Sequence, residues 1–109
     1  MSLDRFVKFD DEKPTGAEVE RAVRRFLGGV GMVEWDPDGS RIYVYVPGVG
    51  TDPFSEHHGN LERWIEVYVG SEHDQIDVIT RQQDPFTNAL ARGIAESLAQ
   101  GWNGEIDVG

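Results

Sequence analysis

Three histidines and their neighbouring carboxylates are the side chains whose types could bind a metal ion. His57 and His58 follow Glu56 within the segment 47–60, and His73 comes one predicted hairpin later. Imidazole nitrogens and carboxylate oxygens are ligands that zinc and other transition metals accept. Adjacent histidines in an extended chain point in opposite directions, however, and no recognised metal-binding spacing is present. Solvated histidines in a surface loop are the expectation, and a metal site at these three residues is the alternative.

No other pattern in the sequence is specific for catalysis or for a cofactor. Gly48 and Gly50 follow a predicted strand, but a dinucleotide-binding fingerprint needs a third glycine where this chain has Pro53. No serine lies in the Gly-x-Ser-x-Gly pattern of a nucleophile elbow. Carboxylate pairs such as Glu62 and Glu66 carry little information in a chain with 20 Asp and Glu residues. We therefore expect no catalytic residue and no cofactor.

Aromatic side chains alternate with aliphatic ones in two predicted strands, 41–46 and 61–69. If the aliphatic side chains face the core, the opposite sheet face presents a set of aromatic and acidic side chains. This set comprises Tyr43, Tyr45, Glu62, Trp64, Glu66, Tyr68 and Asp77. Tyrosine and tryptophan are favoured interface anchors, and carboxylates select the charge of a partner. We interpret the face as a recognition surface; a merely solvated face is the alternative, since aromatic residues are also good strand formers.

Two helices are predicted. Thr15 and Glu18 form the capping-box pattern, and apolar residues then recur at helical spacing until Gly28, which predicts a helix over 16–27. A second helix is predicted to begin after Asp84 at Pro85 and to end near Gly101. Its small residues, Gly93 among them, should allow it to lie close to a sheet.

Strands are predicted at 3–9, 30–35, 41–46, 61–69, 75–80 and around 105–108, with a hairpin turn over 36–40. The resulting order is β-α-β-β-loop-β-β-α-β. We expect an α+β fold with a mostly antiparallel sheet of five to six strands and both helices on one face. This architecture resembles a ferredoxin-type α+β sandwich extended by a hairpin. Neither repeats nor linkers divide the chain, so residues 1–109 are expected to form a single domain.

Composition excludes several classes of partner. Twenty acidic against ten basic residues give a net charge of −10, which disfavours nucleic acid and anionic membrane surfaces as partners. Single-stranded RNA platforms also carry aromatic residues, but they add basic side chains that hold phosphate. The chain has no cysteine, so it has no disulfide and no thiol chemistry. This is compatible with the cytoplasm, where we expect the protein to reside.

These observations favour a small acidic protein-interaction module over an enzyme. The expected partner is a protein, basic or a second copy of the chain as a homodimer, and an immunity-like inhibitor of a basic toxin or nuclease domain would fit this pattern. The alternative is a small-molecule- or metal-dependent enzyme with its site at the 47–60 loop, because long loops in compact domains are often functional.

Overall fold

The computed structural model describes residues 3–28, 32–46, 63–72, 74–80 and 85–108. Within these residues the chain forms six strands and two helices. The strands are β1 (Leu3–Phe9), β2 (Met32–Trp35), β3 (Arg41–Val46), β4 (Arg63–Glu72), β5 (Gln75–Thr80) and β6 (Gly104–Val108). The helices are α1 (Gly16–Leu27) and α2 (Pro85–Trp102). No helix in this part of the chain is both long and apolar enough to cross a membrane.

Helix α1 has the predicted boundaries because both of its ends are capped. The Glu18 backbone N–H donates to the Thr15 hydroxyl at 3.2 Å, and the Thr15 N–H donates to the Glu18 carboxylate at 2.9 Å. At the other end Gly28 adopts a left-handed conformation with φ of 62°, and its N–H donates to the Arg24 carbonyl. Both capping features predicted for this helix are confirmed.

The strands form one antiparallel sheet in the order β2-β3-β4-β5-β1-β6. The β2–β3 hairpin closes as predicted over residues 36–40, where the Asp36 N–H donates to the Arg41 carbonyl at 2.9 Å. Gly39 supplies the positive φ of 75° that this turn requires.

The core lies between the sheet and both helices. Val19 and Val23 of α1 and Ile94 and Leu98 of α2 are almost completely buried in one hydrophobic cluster with the inward-facing strand residues. The strand residues of this cluster are Val7, Phe9, Ile42, Val44, Ile65, Val67, Ile76 and Val78. Both helices therefore pack against the same face of the sheet, and the predicted α+β class is confirmed. The exact ferredoxin-like order is not confirmed.

Two glycines permit close packing of α1. A Cβ atom at Gly93 of α2 would lie 2.2 Å from Phe26 Cζ, so this glycine accommodates the neighbouring helix rather than the sheet. A Cβ atom at Gly16 would lie 2.8 Å from the Trp35 ring. The Trp35 indole N–H in turn donates to the Glu20 carboxylate, which fixes the end of β2 against α1. This hydrogen bond, together with the ion pair to Arg24, lowers the pKa of Glu20.

Strand β4 extends past the end of its prediction of 61–69. It continues to Glu72, which pairs with Gln75 across a register shift that begins at Tyr68. The Val69 N–H donates to the Ser40 carbonyl at 2.9 Å. The bulge therefore lets β4 keep pairing beyond Val69. The prediction of a turn directly after Val69 is wrong.

Candidate functional site

Alternation along β3, β4 and β5 places the predicted aromatic and acidic side chains on the sheet face opposite the core. The register pairs Tyr45 with Trp64 and Tyr43 with Glu66, and Tyr68 lies opposite Asp77. Residues directly opposite each other in an antiparallel pair share a face. We call this surface the outer face and define it by Tyr43, Tyr45, Trp64, Glu66, Tyr68 and Asp77. Neither helix packs on it in the part of the chain that the structure describes.

The four aromatic side chains of the outer face are half-buried, and two of them stack on each other. The rings of Tyr43 and Tyr45 stack with centroids 6.0 Å apart and an interplanar angle of 21°. Tyr45 lies opposite Trp64 in the register, so this array continues onto β4. The side chains of Tyr43, Tyr45 and Trp64 therefore form a platform, because they project from neighbouring positions of one sheet surface.

Glu66 is buried although it projects from the face that no helix covers. Only 4% of the residue is exposed. Its cross-strand neighbours are Tyr43 on β3 and Ile79 on β5. Arg41 Nη1 donates to Glu66 Oε1 at 3.1 Å, and the Tyr68 hydroxyl donates to the same oxygen at 3.3 Å. Burial of this charge is tolerated because it is paired and hydrogen-bonded.

Arg41 connects the carboxylates of Asp36 and Glu66 in one hydrogen-bonded network. Its Nε donates to Asp36 Oδ2 at 3.0 Å, and its Nη1 donates to Glu66 Oε1 and, at 2.6 Å, to the Tyr68 hydroxyl. The guanidinium carbon lies 4.9 Å from the centre of the Tyr43 ring and 5.3 Å from that of Tyr68. The bond to Asp36, followed by that to Tyr68, raises the pKa of Arg41. This side chain is therefore a permanent cation held in one orientation.

Asp36 is fixed at the start of the β2–β3 turn. Its Oδ1 accepts the Asp38 backbone N–H at 3.1 Å, and its Oδ2 accepts the Tyr43 hydroxyl at 3.2 Å in addition to Arg41. The Asp38 N–H and then Arg41 lower the pKa of Asp36. Burial is the main cause that raises the pKa of Tyr43, so its phenol stays a hydrogen-bond donor. At neutral pH the pair is thus a carboxylate and a neutral phenol.

A cavity of about 600 Å³ opens beside this network. We call it the Tyr–Trp groove; it is lined by Asp36, Pro37, Tyr43, Tyr45, Trp64 and Glu66. Aromatic rings and a proline supply its apolar walls, and the two carboxylates supply its charge. Its volume lies within the range of ligand-binding clefts.

Several predicted site residues cannot be placed. Glu62, His57, His58 and His73 lie outside the described residues, as does the whole 47–60 segment. Asp77 belongs to the outer face but lies beyond the groove, where it accepts a hydrogen bond from Gln75 at 2.7 Å. Within the residues that the structure describes, no group of three or more His, Asp or Glu side chains could hold a metal ion.

Alternation also places Arg41 on the outer face, but neither Arg41 nor Asp36 was among the predicted site residues. Both flank the predicted hairpin turn, and the closing hydrogen bond from the Asp36 N–H to the Arg41 carbonyl brings them together. A carboxylate and a guanidinium at the two ends of a tight turn were the available signal. Alternation predicted the third member, Glu66, and the register between β3 and β4 places it opposite Tyr43.

Comparison of the chain with protein-family models, with curated proteins and with solved structures gives no match. Its function is therefore inferred from the geometry and charge of the outer face.

Proposed function

We propose that the chain is a protein-interaction module whose outer face binds a basic protein. The observation that carries this proposal is an uncovered sheet face on which half-buried aromatic rings adjoin a fixed, net-negative network of side chains. Trp64 and Tyr45 are the proposed anchors, because aromatic side chains of this kind dominate the energy of many interfaces. The carboxylates select the charge of the partner.

The rigidity of the network supports binding rather than mere exposure to solvent. Asp36, Arg41 and Glu66 hold one another through charge-assisted hydrogen bonds of 3.0 and 3.1 Å, and Tyr68 adds a bond of 2.6 Å. Side chains that are already ordered lose little conformational freedom when a partner arrives. A surface that served only solubility would not need this degree of order.

The charge of the outer face supports a basic partner. Asp36 and Glu66 together carry two negative charges against the single positive charge of Arg41. Glu34 is exposed and lies opposite Tyr43 in the register, so it adds a further negative charge at the edge of the platform. The net charge of −10 for the whole chain has the same sign. A second copy of the chain is less favoured as the partner, since two such molecules repel each other at long range.

An immunity-like inhibitor of a basic toxin or nuclease domain, acting in the cytoplasm, is the specific form of this proposal. The alternative of an enzyme with its site at the 47–60 loop stays a prediction, because that segment lies outside the described residues. No observation on the described part of the chain favours it.

An affinity experiment tests the proposal. The parent chain is immobilised and exposed to an extract of its source cells, and the retained proteins are identified. We expect a basic protein that the parent retains and that Tyr45→Ala combined with Trp64→Ala loses. Phe26→Ala is the control, because Phe26 is a 38% exposed aromatic residue of α1 rather than of the outer face. Its folding is checked as well, since Phe26 packs against Gly93 of α2. Retention of the same protein by the double variant, or retention of acidic proteins only, would contradict the proposal.

A further inference from the structure

The Tyr–Trp groove has the chemistry of a site for a planar cation. On the basis of the proposed function, we infer that the groove receives an arginine side chain of the basic partner. The guanidinium would stack on the ring of Tyr45 or Trp64 and donate to the carboxylate of Asp36. The observations that support this assignment are the charge of the groove, the shape of its walls and the behaviour of Arg41.

The groove has an excess of negative charge that a cation would neutralise. Among the described side chains that line or contact the groove, Asp36 and Glu66 carry two negative charges and Arg41 carries one positive charge. The side chain of Asp36 is 15% exposed and that of Glu66 is 5% exposed, so Asp36 is the carboxylate that an incoming group reaches. The lowered pKa of Asp36 keeps this carboxylate ionised at neutral pH.

The walls favour a planar group over a spherical one. Tyr43, Tyr45 and Trp64 rise from one sheet surface and form a platform, whereas the aromatic cages that select methylated ammonium groups enclose their ligand. A guanidinium is planar, weakly hydrated and able to stack on a ring while its edge donates to a carboxylate oxygen. Asp36 Oδ1, which accepts the Asp38 N–H, is the more open of the two oxygens, because Oδ2 accepts from both Arg41 and Tyr43. The ammonium group of lysine is strongly hydrated and lacks this geometry.

Arg41 shows that this surface already holds a guanidinium of its own chain. It lies over the rings of Tyr43 and Tyr68 while donating to Asp36 and Glu66. The Tyr–Trp groove shares Asp36, Glu66 and Tyr43 with this contact and adds the rings of Tyr45 and Trp64. The proposed partner arginine would therefore combine an aromatic ring and a carboxylate in the way that Arg41 does.

The test uses single amino acids as probes of the full chain. N-acetylarginine amide, N-acetyllysine amide and N-acetylcitrulline amide are titrated separately while the indole N–H signals are followed by NMR. Citrulline has the shape of arginine without its charge. The signal of Trp64 is assigned from its loss in Trp64→Phe, and Trp35 and Trp102, which lie outside the groove, serve as internal controls. We expect arginine to shift the Trp64 signal with saturation in the millimolar range, and citrulline to bind about tenfold more weakly.

Substitution of Asp36 tests whether its carboxylate binds the arginine probe. Asp36→Asn should weaken arginine binding about tenfold, whereas Asp38→Asn, in the same turn but outside the groove, should leave it unchanged. Folding of both variants is checked from the dispersion of their amide signals. If Asp36→Asn does not fold, the comparison between arginine and citrulline in the parent chain decides.

The assignment is overturned if lysine or citrulline binds as well as arginine, or if arginine shifts Trp102 rather than Trp64. This failure is distinguishable from failure of the proposed function. Suppose that the chain with Tyr45→Ala and Trp64→Ala loses the partner, and that the parent chain does not bind the arginine probe. This result would support the interaction surface and reject the arginine anchor. Capture of a basic protein that does not depend on Tyr45 and Trp64 would reject both the interaction surface and the arginine anchor.

Discussion

At the scale of single residues, a network of charged side chains lies on the outer side of the sheet rather than in the core. Asp36, Arg41 and Glu66 form a connected network of charge-assisted hydrogen bonds on the side of the sheet that neither helix covers. Such a network fixes the orientation of each member more strictly than apolar packing would. The groove next to it therefore has walls of defined geometry.

The lowered pKa of Asp36 predicts a dependence of stability on pH. A carboxyl whose pKa is lower in the folded than in the unfolded chain stabilises the fold at pH values above its unfolded pKa. That stabilisation disappears as the pH falls below the ordinary value of 3.8 and through the folded pKa. Asp36→Asn should therefore lower the urea midpoint at pH 7, and the difference from the parent should shrink as the pH falls below 3.8 and through the folded pKa.

Asp38→Asn is the control, because it removes the same formal charge from the same turn without touching Arg41. Equal differences between Asp36→Asn and the parent at acid and neutral pH would show that the ionised form of Asp36 does not stabilise the fold.

At the scale of elements, the capping box of α1 connects a four-residue pattern to the position of a whole helix. Thr15→Ala removes the oxygen that accepts the Glu18 N–H, so it should lower the free energy of unfolding by about 0.5–2 kcal/mol. Thr15→Ser keeps the hydroxyl and should retain most of the stability. A denaturation midpoint for Thr15→Ala that equals the parent's would mean that this cap contributes nothing.

The elements were predictable where the signal is local. Helix α1 has its predicted bounds because the cap, the apolar period and Gly28 all lie within its own sequence. The two faces of β3 and β4 followed from alternation. The extension of β4 to Glu72 was not predictable, because it depends on a bulge and on pairing with residues of another strand.

The candidate site was only partly predictable for the same reason. Alternation identified Tyr43, Tyr45 and Trp64, but it indicated nothing about the burial of Glu66, which depends on the register with both neighbouring strands.

Arg5, outside the candidate site, is a second residue whose burial was not predictable: it projects toward the core side of β1 and is only 8% exposed. Burial is the main cause that lowers the pKa of this arginine, and no apolar pattern predicts a buried guanidinium.

At the scale of the whole molecule, charge is distributed unevenly between the two sides. Arg21, Arg24 and Arg25 are exposed on α1, whereas Glu34, Asp36 and Glu66 lie on the side of the outer face. A basic protein should therefore approach the sheet side first.

This distribution predicts the effect of salt on binding. The rate constant for association with the basic partner should fall as ionic strength rises, because the Debye length shortens to about 8 Å at 0.15 M. Stopped-flow mixing at a series of salt concentrations measures it. Glu34→Gln should lower the association rate at low salt, while Glu105→Gln, on β6 and far from the groove, should change it less. A rate that does not respond to salt would mean that charge does not steer this encounter.

If the rings of the outer face serve binding, they should contribute little to the stability of the fold. Tyr45→Ala with Trp64→Ala should lower the free energy of unfolding less than Val44→Ala with Val67→Ala. The two valines are completely buried under the helices, and their truncation should cost about 3 kcal/mol or more in total.

The most direct measurement is the equilibrium affinity of the folded Tyr45→Ala and Trp64→Ala chain for the captured basic protein, compared with that of the parent chain. Truncated interface anchors each cost about 2 kcal/mol or more, so we predict a loss of affinity of at least a hundredfold with the fold retained. A folded double variant that binds with the parent's affinity would contradict the account and leave the outer face a solvated surface.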